Sequence, residues 1–179
     1  MDKVPGSWPD SMHLGAADSQ RLYNYRVAMP SIRASESLEI AAPSHVVYDI
    51  IADYREGHPR ILPPEYFGRL DVEAGGRGAG TKIRFEMKAF GRTSVSTATV
   101  TEPDPGRELL ETLETGIRTT FRVERLPGDS SRVTITTSYT KPGLRGWVDR
   151  LLAPGYLRRV YRAELALLAR VATHRVRAA

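Results

Sequence analysis

Cysteine is absent from the 179 residues, which excludes disulfides, thiolate metal sites and a cysteine nucleophile, and leaves the redox compartment open. No apolar run reaches the roughly 18 residues that a membrane-crossing helix needs. The N-terminal stretch MDKVPGSWPDSMHLGAADSQ lacks the basic-then-apolar order of a secretory signal. The chain therefore reads as soluble and cytoplasmic, with no stable membrane insertion. Asp49 and Asp53 stand one helical turn apart, but no third ligand joins them, so no metal is expected. The glycine-rich AGGRGAG (Ala74 to Gly80) lacks both GxGxxG and a Gly-Lys-Ser/Thr ending. It reads as a turn between strands, not a phosphate cradle, and no cofactor is expected.

Charge is present but unevenly placed. The total is +5, and residues 145 to 179 carry Arg145, Arg150, Arg158, Arg159, Arg162, Arg170, Arg175 and Arg177 against Asp149 and Glu164, a local +6 that leaves the rest at −1. An Arg-rich helix can meet nucleic acid, anionic lipid or an acidic partner. Here the arginines alternate with apolar positions as a solvated face does, and no nucleic-acid module surrounds them, so no nucleic-acid partner is expected.

Periodicity divides the chain. Residues 1–30, with Pro5, Gly6, Pro9, Gly15 and Pro30, read as an extension, partly disordered or adding an edge strand through RLYNYRVAM. A first strand in SIRASESLEI stops at Ala42-Pro43-Ser44, and HVVYDIIADY follows with Val46, Val47, Ile50, Ile51 and Tyr54 at helical spacing. REGHPRIL holds one brief helical turn before Pro63 and Pro64. Strands are then expected at 66–74, 81–90, 92–102, 107–114, 116–126 and 131–141, separated by turn chemistry and hence paired antiparallel. Leu144 to Ala172 returns to helical spacing, with Trp147, Val148 and Leu151 in one stripe and Leu157, Val160, Tyr161, Leu165, Leu168 and Ala172 in another. Pro154-Gly155 between the stripes predicts a kink or a junction of two helices. Unbroken, the segment would measure about 43 Å, enough to cross a six-stranded sheet.

KIRFEMKAFGR puts the central question. Ile83, Phe85, Met87 and Ala89 share one side of the strand, and Lys82, Arg84, Glu86 and Lys88 the other. The apolar side covers either a solid core or a hollow. Inward candidates on the other strands are Leu110 or its neighbours Leu109 and Leu113; Ile117, Thr119, Phe121 and Val123; and Val133, Ile135, Thr137 and Tyr139, with Thr97 as a further hydroxyl on that side. A threonine among aliphatic residues is ordinarily a satisfied strand former. Several hydroxyls beneath a long helix also suit a largely apolar cavity with a few orienting polar groups.

The element order, LEIAAPSHVVYDIIADYREGHPRILP (Leu38 to Pro63) and the terminal YRAELALLARV (Tyr161 to Val171) together resemble the START-like, or SRPBCC, superfamily, in its polyketide cyclase/dehydrase and lipid-transport branch. Pro43 falls on that family's proline, Tyr48 on a position often filled by Trp or Phe, and the likeness spans about residues 32 to 172. The resemblance implies an α+β helix-grip fold, a curved antiparallel sheet wrapped around a long C-terminal helix, with short helices after the first strand. The ligand-binding domain would be 31–174, followed by a tail at 175–179. It also implies a chamber, with Phe85, Met87, Thr119, Phe121, Thr137 and Tyr139 from the sheet and Tyr161 and Leu165 from the helix as ligand contacts.

The family shares no single catalytic motif, so no catalytic residue transfers. Judged locally, His58 stands in a loop at the expected cavity mouth, where it reads as loop structure before general base; His45 follows a helix start; Arg84 and Arg92 face solvent. Tyr139 is the foremost candidate for bonding a ligand. The expected function is binding or transport of a small apolar molecule, a lipid, isoprenoid or polyketide-like compound. A cyclase or dehydratase using the same cavity is the alternative, and an interaction module using the Arg-rich helix the third. The expected partner is the small apolar molecule, with a homodimer as the further association considered.

Overall fold

A computed structural model describes residues 31–89, 91–140 and 144–178, without the side chains of 31 and 144–151. The edge strand considered in RLYNYRVAM and the stripe of Trp147, Val148 and Leu151 lie outside the described residues. The strands are β1 (Ser31–Ile40), β2 (Phe67–Ala74), β3 (Lys82–Ala89), β4 (Arg92–Asp104), β5 (Glu108–Leu113), β6 (Arg118–Leu126) and β7 (Ser130–Thr140). The helices are α1 (Ser44–Ala52), a 3-10 turn at His58–Arg60, and α2 (Leu144–Arg177).

The strands form one antiparallel sheet in the order β1-β7-β6-β5-β4-β3-β2. β2 to β7 form a meander joined by short turns, as their turn residues dictate. β1 closes the far edge by pairing with β7 from Ser31↔Thr140 to Ile40↔Ser131. β1 and β2 therefore sit at opposite edges, and the chain between them must cross the sheet. That crossing carries α1 and the 3-10 turn under α2.

Pairing register fixes which side chains face inward. Ile83↔Ala98, Leu109↔Phe121, Thr119↔Thr137, Phe121↔Ile135 and Val123↔Val133 set one buried face across the sheet. Thr97 pairs with the exposed Arg84 on the outer face, so it is not an inner hydroxyl; the inner residue there is Ala98. On β5, the open choice among Leu109, Leu110 and Leu113 falls on Leu109 and Leu113, whose alternation puts Leu110 outward and Glu111 inward.

α1 lies over β6 and β7 and against α2, burying Val47, Ile50 and Ile51. Each such side chain contributes about 1.5–3 kcal/mol when withdrawn from water. Leu168 and Ala172, toward the C-terminal end of α2, are fully buried, so this end of the fold is solid. Elsewhere α2 packs mainly along β1. It is one continuous helix through Pro154 and runs to Arg177, past the expected end at Ala172; Pro154 does not divide it. The 3-10 turn is held by Asp53 O accepting from His58 N at 2.6 Å and Gly57 O accepting from Arg60 N at 3.1 Å.

Gly57 makes this turn possible. A Cβ there would stand 2.4 Å from the Ile50 carbonyl oxygen, a backbone atom that cannot swing aside. Gly57→Ala is therefore expected to cost about 1–3 kcal/mol, read as a fall of about 3–10 °C in Tm. An unchanged Tm would mean that the turn and the α1 terminus relax freely.

Candidate functional site

Between α2 and the inner face of β2, β3, β5, β6 and β7 lies a chamber of about 470 Å³. Because α2 is seated along β1, the sheet's other strands curl past it and leave the space unfilled. Its walls are mostly apolar: Phe67 and Leu70 from β2, Ile83, Phe85 and Met87 from β3, Leu113 from β5, Phe121 from β6, and Leu157 from α2. The exposed Thr115 and Thr140 also border it, which places the mouth at the β5–β6 turn and the end of β7.

Part of the lining forms a polar floor. Thr119 and Thr137, adjacent by register, share a hydrogen bond of 2.7 Å, and Thr137 also bonds the Tyr161 hydroxyl. These hydroxyls thus largely satisfy one another. Burial pushes the Tyr161 phenol up, so it stays protonated. Beside them, with Glu111 paired to Thr119, are His58 and two carboxyls, Glu111 and Glu164, all lining the chamber and nearly closed to solvent.

Each of these groups has a defined support. His58 Nδ1 is 2.7 Å from the Ile51 carbonyl oxygen. A carbonyl can only accept, so Nδ1 carries hydrogen and, in the neutral ring, Nε2 carries the lone pair. The imidazole stacks on Tyr54 at 4.4 Å and meets the Phe121 ring at 5.5 Å. Nε2 points toward Glu111 Oε1 at 3.7 Å, too far for a hydrogen bond. Glu111 Oε1 instead accepts from the Tyr54 hydroxyl at 2.6 Å. Burial, followed by the Glu111 charge, holds the Tyr54 phenol well above its ordinary pKa, so it remains a donor.

Glu164 is different. Its Oε1 is buried and has no hydrogen-bond partner among the described residues. Burial, and then the nearby Glu111 charge, raise its pKa well above the ordinary carboxylate value. It is a neutral carboxylic acid beside a second carboxyl and an imidazole, which can give a proton, or lose one to a ligand that stabilises its charge.

The expected contacts Phe85, Met87, Thr119, Phe121, Thr137, Tyr139 and Tyr161 all line the chamber. Leu165 does not: it is buried in the packed core on another side of α2. His58 is not at a cavity mouth but sits 2 % exposed on the floor, because the 3-10 turn tucks its ring beneath Tyr54. The sequence reading passed over Glu111 and Glu164 as parts of the site. Period-two alternation in ELLETL places Glu111 with Leu109 and Leu113, and helical spacing places Glu164 three residues after Tyr161 and four before Leu168. A charged residue at an inward position was the available signal.

The family model described as Polyketide cyclase / dehydrase and lipid transport matches residues 31–173. Among solved structures, the KanY protein, determined by NMR, shares 26% identity, with 81% of this chain and 99% of that chain covered at a TM-score of 0.70. A START superfamily protein from Mycobacterium smegmatis shares 20% identity over 78% and 98% at 0.63. The Zhui aromatase/cyclase from Streptomyces sp. R1128 shares 19% over 82% and 96% at 0.67. The latter two likenesses concern the fold. No curated protein matches in sequence.

Glu164 ties stability to pH. Folded, it keeps its proton at pH values where the unfolded chain, with an ordinary pKa of 4.5, has released it. The folded state then holds more protons, so stability falls as pH rises above about 4.5. Glu164→Gln keeps the shape without ionising. Its melting temperature is expected to gain on the wild type between about pH 5 and about pH 8, each tenfold displacement of the protonation equilibrium being worth about 1.4 kcal/mol, or about 3–6 °C. Parallel Tm curves for the two proteins would show that the Glu164 carboxyl is ordinary.

Proposed function

Because the chain belongs to the polyketide cyclase / dehydrase and lipid transport family, we propose that it binds one small, largely apolar molecule between α2 and the sheet, with the molecule's polar end on the floor made by His58, Glu111 and Glu164. The observation that carries this reading is the chamber of about 470 Å³, within the range of small-molecule sites. Its walls supply burial without direction, and the buried polar groups His58, Glu111, Glu164 and Thr137 are gathered on the floor. Such a site orients an amphiphile: the hydrocarbon body enters from water, and the polar end is fixed by a few hydrogen bonds.

Native mass spectrometry of the intact protein, compared with its denatured mass and an organic extract, tests the reading directly. The expected result is a stoichiometric apolar adduct lost on denaturation or, for an empty protein, saturable binding of the neutral dye Nile red. Met87→Trp, which adds bulk from the wall, should weaken dye binding by about tenfold or more, about 1.4 kcal/mol, with little change in Tm. Neither adduct nor saturable dye binding would mean that the space does not take a ligand.

A second reading, a cyclase or dehydratase acting on the same ligand, is favoured by one observation. The Nδ1–H bond to Ile51 turns the other ring nitrogen of His58, Nε2, to the floor, where Glu164 is held toward its neutral acid form by burial. A base and an acid in one dry site can move protons next to a carbonyl. Deuterium exchange at the α-carbon of an apolar methyl ketone, followed by NMR in heavy water, is expected to be accelerated by the wild type and to fall about 100-fold or more in His58→Asn. Equal exchange in both proteins would leave binding alone.

A further inference from the structure

The floor has more acceptors than donors. Glu164 Oε1 has no hydrogen-bond partner among the described residues. The Glu111 carboxyl can accept several hydrogen bonds, and the Tyr54 hydroxyl supplies one at 2.6 Å. His58 turns Nε2 to the floor, since Nδ1–H is spent on Ile51 O, and in the neutral ring that nitrogen is an acceptor. The nearby hydroxyls of Thr119, Thr137 and Tyr161 are joined by two hydrogen bonds, which leaves one O–H among the three to set against these acceptors. None of the described residues lining the chamber is Lys or Arg, although the chain as a whole is +5.

From this surplus of acceptors we propose that the chamber's ligand is an organic amine, its protonated nitrogen seated between Glu164, Glu111 and His58 Nε2 and its hydrocarbon body along the wall of Phe85, Met87 and Phe121. The proposal rests on the binding reading above and names the class of molecule bound. An ammonium offers three donors to this floor, whereas an alcohol offers one. A carboxylate or phosphate would enter beside the Glu111 carboxyl with no Lys or Arg among the described lining residues to meet it, and an unpaired buried anion is strongly disfavoured.

Binding is then coupled to a proton. The neutral Glu164 carboxyl gives its proton to buffer as the ammonium arrives, leaving a carboxylate paired with the cation; no other bond changes. The titratable groups facing Glu164 are Glu111 from β5, Tyr54 just after α1, Tyr161 one turn earlier on α2, and His58 from the 3-10 turn. Both phenols stay protonated because their pKa values are raised.

Isothermal titration calorimetry with three compounds of one shape tests this: 1-adamantylmethylamine, 1-adamantylmethanol and 1-adamantanecarboxylate, each in phosphate and in Tris at about pH 7.5. The amine is expected to bind at least about tenfold tighter than the alcohol, the carboxylate not to bind, and the amine's heat to differ between buffers as proton release requires. Glu164→Gln should bring the amine to the affinity that the alcohol has for the same variant and remove the buffer dependence. An alcohol or carboxylate binding as tightly as the amine, or no effect of Glu164→Gln on amine affinity, overturns the amine assignment while the chamber reading stands. So does Nile red binding with none of the three compounds bound. Failure of Nile red and all three together removes both.

Discussion

Helix α2 lies along β1, the edge strand added to the meander by its pairing with β7, and that seating decides what the rest of the sheet can do. Had the helix lain across the centre of the sheet, Phe85, Met87 and Phe121 would have met its apolar stripe and closed a solid core. Held at the edge, it is packed against α1 at its C-terminal end, and further along it reaches toward β2 and β3 through Tyr156, which donates to the Lys88 carbonyl and meets the Tyr66 ring, leaving open space beneath. The hollow is the difference between those two ends. It has stable walls because close packing elsewhere makes the helix position hard to adjust.

The crossing segment from β1 to β2 turns that hollow into a site. It must traverse the whole sheet, and it does so with α1 and the 3-10 turn, so that Tyr54 and His58 reach the floor from a different element than the strand carrying Glu111 or the helix carrying Glu164. Groups from the crossing segment, β5 and α2 converge at one place. Two carboxyls and an imidazole withdrawn from water are costly to a folded chain, and Glu164 meets that cost by staying protonated. A buried carboxyl oxygen without a partner among the described residues makes structural sense where a ligand supplies the missing contact.

The arginines of α2 have a plainer role. Arg162 donates to Glu36 of β1 at 2.9 Å, and Arg158 approaches the same carboxylate at 4.0 Å. These are exposed pairs across the seam between helix and edge strand, individually weak, and they lie where α2 already packs. The basic stretch thus contributes to the grip on β1, on the side of the helix away from the chamber's floor.

By itself the sequence determined the element order, the antiparallel meander and the amphipathic terminal helix, because periods of two and 3.6 and glycine- or proline-bearing turns are local properties. It also placed most of the chamber wall, since Phe85, Met87, Phe121 and Tyr161 follow from alternation and helical spacing read with the family resemblance. Glu111 and Glu164 occupied inward positions in those same patterns, yet a charged residue reads as solvated until its surroundings are known. Leu165 sits beside Tyr161 in the stripe but turns to a different packing partner, which spacing alone does not distinguish. Only the tertiary structure decided that Pro154 leaves α2 continuous, that His58 lies on the floor, and that α2 rests on β1 rather than filling the space above β3. Those outcomes depend on contacts between residues far apart in the chain, where the register of β1 on β7 and the path of the crossing segment set the distances, and no local pattern encodes them.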